Sequence, residues 1–175
     1  MITLEDVKRD VRTVPDFPQK GIMFRDLTTV FQKPEYMRFF EETLAEEYKA
    51  KGITKVLGIE SRGFIMGAAL ACRLNAGFVP VRKKGKLPAE TIEVSYSKEY
   101  GVDVIEMHKD SLTENDVVLI HDDLLATGGT MKAAIELARK FGVKKIYVNF
   151  LVELDDLKGR DILGADVEVS SLIHY

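Results

Sequence analysis

The stretch that most constrains the fold runs Val117-Val118-Leu119-Ile120-His121-Asp122-Asp123-Leu124-Leu125-Ala126-Thr127-Gly128-Gly129-Thr130. Val117 to Ile120 is a short apolar, largely β-branched run, the pattern of a strand covered on both faces in a parallel sheet. Asp122 and Asp123 stand where that strand should end. A loop of small residues follows, Ala126 to Thr130. Met131, Ala134, Ile135, Ala138 and Phe141 then recur at helical spacing until Gly142 stops the run. Strand, glycine turn and helix in that order point to an α/β fold.

The chemistry follows from the order. In open α/β sheets, ligands bind outside the carboxyl ends of the strands. A glycine-rich turn there lets backbone N–H groups close around a phosphate, and the helix start adds its positive end. The hydroxyls of Thr127 and Thr130 can add hydrogen bonds. Adjacent carboxylates repel a second phosphate but suit a diol such as ribose, whose 2′ and 3′ hydroxyls both donate. The segment therefore reads as a ribose 5-phosphate cradle, with Asp122 and Asp123 for the sugar and Ala126, Thr127, Gly128, Gly129 and Thr130 for the phosphate. Neither G-x-x-x-x-G-K-[ST] nor G-x-G-x-x-G is present. The plain alternative is an ordinary strand–turn–helix with Asp-Asp at the turn.

The rest of the chain holds elements that could complete such a site. Its 175 residues fit one domain, large enough to bury roughly 70% of its unfolded surface. The net charge of −3 does not favour nucleic acid. Cys72 stands alone and cannot form an internal disulfide, which fits a reducing, cytoplasmic setting. Its place in an apolar helical run predicts a buried structural thiol. No apolar signal core opens the chain, and no run approaches the ~18 residues of a membrane span.

In chain order, Thr3 to Val11 reads as a helix with a Thr3–Asp6 capping box. Val14 to Thr28 carries two prolines and a glycine, so no regular structure is expected, yet Phe17, Ile22, Met23 and Phe24 are too apolar for a solvated loop. Such a loop covers something, either a ligand or the core edge. A helix from Lys33-Pro34 to Gly52 and a strand from Lys55 to Ile59 follow. Glu60-Ser61-Arg62-Gly63-Phe64 then makes a second strand–turn–helix. Ser61, Arg62 and the N–H groups near Gly63 could hold pyrophosphate, or Arg62 could simply pair with Glu60. The strand Phe78 to Val81 runs into Arg82-Lys83-Lys84-Gly85-Lys86-Leu87-Pro88, either a solvated basic face or a polyphosphate site. Ala89 to His108 alternates as a hairpin with a polar tip. Lys145 to Leu154 and the region 167–172 supply the last strands. His108 and His174 lack metal-ligand spacing.

Asp122 to Thr130 resembles the phosphoribosyl-diphosphate signature of the type I phosphoribosyltransferase family. The stretches 14–28 and 82–88 narrow the likeness to its adenine-using branch, and the likeness spans nearly the whole chain. His121 departs from the pattern, which usually has an apolar residue there; a strand end with a local partner is expected for it. The resemblance implies a mostly parallel twisted sheet flanked by helices in a single domain, 1–175. A small N-terminal hood, within 1–32, would cover the base, and a flexible catalytic loop would span 85–108. It implies that Phe24 packs on the purine face while the backbone of Met23 and Arg25 reads its edge. Ser61 and Arg62 would form a pyrophosphate loop in which a cis Glu60–Ser61 peptide is common. Arg82, or Lys83 and Lys86, would reach the pyrophosphate, across a dimer interface. Glu99 would handle a purine proton and Tyr100 would seal the loop. The implied substrates are adenine and 5-phosphoribosyl 1-diphosphate, with Mg²⁺ carried mainly by the substrate and a homodimer as the assembly. Two other readings stay open: a transferase for oxopurines, and a phosphoribosyl-diphosphate sensor without chemistry.

Overall fold

The computed structural model describes residues 2–98 and 101–175, without the side chain of Lys98. The chain opens with α1 (Leu4–Asp10), held by the expected capping box: the Thr3 hydroxyl accepts from the Asp6 N–H at 3.2 Å, and the Asp6 carboxylate accepts from the Thr3 N–H at 3.1 Å. Next come β1 (Arg12–Pro15), β2 (Met23–Asp26), α2 (Thr28–Phe31), α3 (Pro34–Tyr48), β3 (Lys55–Ile59), α4 (Gly63–Arg73) and β4 (Gly77–Lys83). The second half runs β5 (Thr91–Lys98), β6 (Gly101–His108), β7 (Val117–Leu125), α5 (Gly129–Arg139), β8 (Lys145–Glu153) and β9 (Glu168–His174), with 3-10 turns at Asp155–Leu157 and Gly159–Ile162 before β9.

Seven strands form one sheet in the order β5-β6-β4-β3-β7-β8-β9. β4, β3, β7, β8 and β9 are parallel, and the hairpin β5–β6 adds antiparallel to β4. From β3 the chain moves to β4 on one side, while β7 lies on the other. The strand order thus reverses at β3, and the carboxyl ends of β3 and β7 flank a crevice. Alternation along β7 builds a core on each face. Val118 and Ile120 pack with Met131, Ala134, Ile135 and Ala138 of α5. Leu119 packs with Phe40 and Leu44 of α3 and Met66 and Leu70 of α4.

α4 lies unusually close to this sheet because glycines line the contact. A Cβ on Gly63 would come within 2.8 Å of the His121 carbonyl oxygen, and one on Gly67 within 3.4 Å of the Gly58 Cα. That closeness sets the start of α4, and with it Arg62, against the end of β7.

Three expectations are corrected. The stretch 14–28 is partly regular, since β1 and β2 pair antiparallel with Val14 opposite Phe24. The prolines fall at the end of β1 and in the turn, where a missing N–H does no harm. Asp16 closes that turn by accepting the Gly21 N–H at 2.6 Å. Next, β7 runs past the acids to Leu125, because β8 continues beside it with Leu124 opposite Val152. Cys72 is exposed, not buried. The buried stripe of α4 is Gly63, Met66, Gly67, Leu70 and Ala71, and residue 72 falls off it.

The small β1–β2 sheet carries an acid-sensitive anchor. Arg12 donates to the Asp26 carboxylate through Nε at 3.0 Å and through Nη2, while Thr28 donates its N–H at 2.9 Å and its hydroxyl at 2.7 Å. Burial pushes the Asp26 carboxyl up, but these bonds outweigh it and bring the group down to about 2. A carboxyl depressed this far contributes on the order of 2 kcal/mol at neutral pH. Its folded pKa lies below its unfolded one, so the contribution is present above about pH 4 and is lost as pH falls towards 2. In acid titration followed by circular dichroism, Asp26→Asn should therefore be less stable than the parent at pH 7, with the gap closing as the pH falls through that window. A gap independent of pH would refute the assignment.

Candidate active site

The β3–β7 ladder ends at the pair Gly58 and His121. Asp122 and Asp123 lie just beyond it, so the acids emerge into the crevice although β7 continues along β8. Successive strand residues face opposite ways, and here the two acids do so. Asp122, half-buried, lines a cavity of about 220 Å³ with Glu60, Lys83, Tyr96 and Thr130. Asp123 is 2% exposed and receives the Arg62 Nε–H at 2.5 Å. The Asp123 N–H donates to Asp122 Oδ1 at 2.9 Å. Burial, and then the neighbouring Asp123 carboxylate, push the Asp122 carboxyl well above the usual range.

The loop after β7 has the expected shape. Gly128 takes φ +83°, a left-handed conformation that favours glycine, and its carbonyl accepts the Lys132 N–H at 2.9 Å. Gly128 provides no side-chain cap, so the first N–H groups of α5 keep their capacity for an anion. The Thr130 hydroxyl donates to the Tyr96 hydroxyl at 3.1 Å, which ties the β5–β6 hairpin to this loop. Thr127 is exposed and Ala126 and Gly129 half-buried.

On the other side of the crevice the Glu60–Ser61 peptide is cis, as the resemblance implies, and the exposed Ser61 stands two residues past the end of β3. Arg62 pairs with Asp123 rather than Glu60. The Glu60 carboxylate instead accepts from Arg82 Nε at 3.2 Å and from the Lys83 N–H at 3.0 Å. Burial pushes Glu60 up, but the Lys83 N–H and the Arg82 guanidinium leave it below its ordinary value. Arg82 also donates to the Lys86 carbonyl at 3.0 Å, so its guanidinium is held inside the basic turn. Lys83 reaches the cavity wall, and among the described residues neither Lys83 nor Lys86 makes a side-chain ion pair. Glu106, 4% exposed, accepts the N–H groups of Lys86 and Leu87, each at 3.0 Å. Sequence reasoning missed Glu60, Glu106 and Tyr96 as organisers of this turn and loop. The available signal was acids in the strands that flank a basic run.

Phe24 stands half-buried on β2 with its ring 5.1 Å from Phe17, edge to face. The Arg62 guanidinium lies 5.6 Å from the Phe24 ring centre. Met23 and Arg25 are two apart on β2, so their backbone polar groups point to the same edge. The Arg25 side chain turns elsewhere, donating to the Thr13 hydroxyl at 2.5 Å and stacking 3.9 Å over the Tyr175 ring. Glu99 and Tyr100 lie outside the described residues.

His121 differs from its expectation. It is fully buried, and its Nδ1 is 2.7 Å from Asn149 Oδ1 on β8, a cross-strand partner rather than a local one. Burial lowers the imidazole pKa, which keeps the ring neutral. His174 is exposed and bonded to Asp155 at 2.8 Å; with Glu153 it forms the one group among the described residues whose atoms could converge on a metal. Glu153 is already taken by Arg160 at 3.1 Å and Ser171 at 2.6 Å. Among the described residues, no helix is long and apolar enough to cross a membrane.

A parallel sheet with an acid pair and a glycine loop at its reversal point defines a class that handles phosphorylated ribose, and residues 28–166 match the phosphoribosyl transferase domain family. The chain is 60% identical to the adenine phosphoribosyltransferase of Bacteroides thetaiotaomicron over 173 residues, 99% of this chain and 98% of that protein. The crystal structure of the adenine phosphoribosyltransferase from Rhodothermus marinus superposes with a TM-score of 0.93 at 52% identity, covering 98% of each chain. That of the Giardia lamblia enzyme complexed with 9-deazaadenine gives 0.95 at 44% identity, covering 100% of this chain and 99% of the other. This chain belongs to the phosphoribosyltransferase family, on its adenine phosphoribosyltransferase branch.

Proposed function

We propose that this protein transfers the phosphoribosyl group of 5-phosphoribosyl 1-diphosphate to adenine, giving AMP and pyrophosphate in purine salvage. The observation that carries the reading is Arg62, which touches Asp123 at 2.5 Å and stands 5.6 Å from the Phe24 ring. One side chain thus joins a ribose-binding acid to the hood expected to hold the base.

In this reading Ala126, Thr127, Gly128, Gly129 and Thr130 hold the 5′-phosphate, and that remote binding energy serves the transition state. Asp122 and Asp123 hold the ribose hydroxyls. As the C1–O bond breaks, the pyrophosphate leaves with the bonding electrons and C1 turns positive, close to the acid pair. Ser61, Arg62, Lys83 and Lys86 receive the leaving group, with Arg82 bracing the turn. Adenine N9 bonds to C1, and Glu99 takes the purine proton at N7. Tyr100 and the hairpin tip close over the substrates and exclude water. Phe24 packs on the purine while one backbone N–H and C=O from Met23 and Arg25 match its donor–acceptor edge. A 6-oxopurine reverses that pattern.

The site fits a Mg²⁺ ion carried by the substrate: Asp122 offers a carboxylate to the cavity, and such an ion needs only one or two carboxylates beside phosphate oxygens. When bound, it neutralises the diphosphate leaving group. A cytoplasmic homodimer belongs to the same reading, supported by the lone cysteine and by the exposed apolar side chains of Phe17, Ile22 and Met23; light scattering tests the assembly.

The reading is tested by following pyrophosphate release with Mg²⁺, phosphoribosyl diphosphate and each of adenine, hypoxanthine and guanine. Turnover with adenine alone is expected. Turnover only with oxopurines would overturn the hood reading, and binding of phosphoribosyl diphosphate without turnover would favour a sensor. Glu99→Gln should lower kcat at least about 100-fold while adenine still binds. Unchanged kcat would remove Glu99 from the proton step.

A further inference from the structure

We propose that Gly159 is a positioning residue for the phosphate loop, and that the turn Gly159–Ile162 is the mould against which Ala126–Gly129 is set. The proposal rests on the reading above that this loop takes the 5′-phosphate. A Cβ at Gly159 would stand 2.1 Å from the Ala126 carbonyl oxygen and 3.0 Å from the Gly128 amide nitrogen. In return, a Cβ at Gly128 would stand 2.4 Å from the Gly159 carbonyl oxygen. The contact is backbone against backbone, so no side chain can rotate out of the way. Gly159 is buried and its φ is not positive. Space, rather than conformational freedom, is what requires glycine there.

The direction of the contact gives it a function. The C=O and N–H of a trans peptide point opposite ways. With the Ala126 carbonyl turned outward to Gly159, the Thr127 N–H of the same peptide turns inward, where an anion would sit. The mould is itself fixed to the sheet. Arg160 donates to Glu153 at 3.1 Å and to the Val169 carbonyl at 2.7 Å, joining the turn to β8 and β9. The Leu154 N–H donates to the Leu125 carbonyl at 2.9 Å, so the chain entering the turn is tied to the residue just before the loop. The aim of the loop's N–H groups is therefore set by a segment about thirty residues later, through a contact that touches no substrate.

The test is Gly159→Ala against the parent, with KM for phosphoribosyl diphosphate and for adenine measured separately. Ribose 5-phosphate and pyrophosphate are titrated by calorimetry as the two halves of the substrate. Ribose 5-phosphate should bind about tenfold more weakly and KM for phosphoribosyl diphosphate should rise in step, while pyrophosphate affinity and KM for adenine hold. Parental affinity for ribose 5-phosphate, or an equal loss for both ligands, would overturn the proposal. Should Gly159→Ala fail to fold, Arg160→Lys loosens the mould without adding volume. It should show the same selective loss at about threefold, and unchanged ribose 5-phosphate binding in that variant would overturn the proposal as well. If the parent makes AMP yet does not bind ribose 5-phosphate, the phosphate-loop reading falls and this inference falls with it. If the parent binds ribose 5-phosphate but makes no AMP, the proposed activity fails alone.

Discussion

Arg62→Ala is expected to lower kcat/KM for phosphoribosyl diphosphate by about two to three orders of magnitude, because under the proposed mechanism it removes a preorganised charge that receives the leaving group. The structural half of the expectation is independent of chemistry. Asp123 is 2% exposed and takes the Arg62 Nε–H at 2.5 Å, so alanine leaves a buried carboxylate without its cation at about 1–3 kcal/mol. Arg62 is itself 38% exposed in its side chain, and water filling its place keeps the penalty from being larger. Steady-state kinetics and a thermal melt read the two halves separately. Arg62→Lys keeps the charge but loses the planar fork, and should fall between parent and alanine. A kcat/KM within threefold of the parent for Arg62→Ala would remove Arg62 from the machinery and leave it a structural ion pair.

Gly128→Ala should abolish measurable turnover and lower Tm by roughly 10 °C. Two penalties add. A non-glycine residue at φ +83° costs about 1–2 kcal/mol, and the new Cβ would lie 2.4 Å from the Gly159 carbonyl oxygen, an overpacking worth another 1–3 kcal/mol or so. Gly142→Ala separates the two. It has a similar φ, +68°, but nothing within 4 Å of the added Cβ, so it should show the backbone penalty alone and near-parental kinetics. If both variants behaved alike, the steric contact between the loop and the later turn would be immaterial.

The segment from β7 through the glycine loop to α5 was legible in the sequence, as were α3, β8 and the β5–β6 alternation. Each is set by neighbours within a few positions: periodicity of apolar residues, a helix cap, a left-handed glycine. The corrections arise where a local pattern had two outcomes. Proline and glycine in 14–28 suggested irregular chain, but strands tolerate proline at an end, and β1 found β2. The apolar run of α4 predicted a buried Cys72, but the helix meets the sheet along its glycines and turns residue 72 to solvent.

The sequence by itself determined most of the strands and helices, β1, β2 and the far end of β7 excepted, and it put the acid pair, glycine loop and basic run together at one end of the sheet. Periodicity and turn chemistry act over a few residues and survive without knowledge of the partner. Only the tertiary structure decided who meets whom. Arg62 pairs with Asp123, 61 residues away, and leaves Glu60 to Arg82, 22 away. His121 finds Asn149 across 28 residues. Gly159, unremarked in the sequence, closes on the phosphate loop. Those choices follow from the order of strands in the sheet and from how closely glycine lets two backbones approach, and a one-dimensional pattern carries neither.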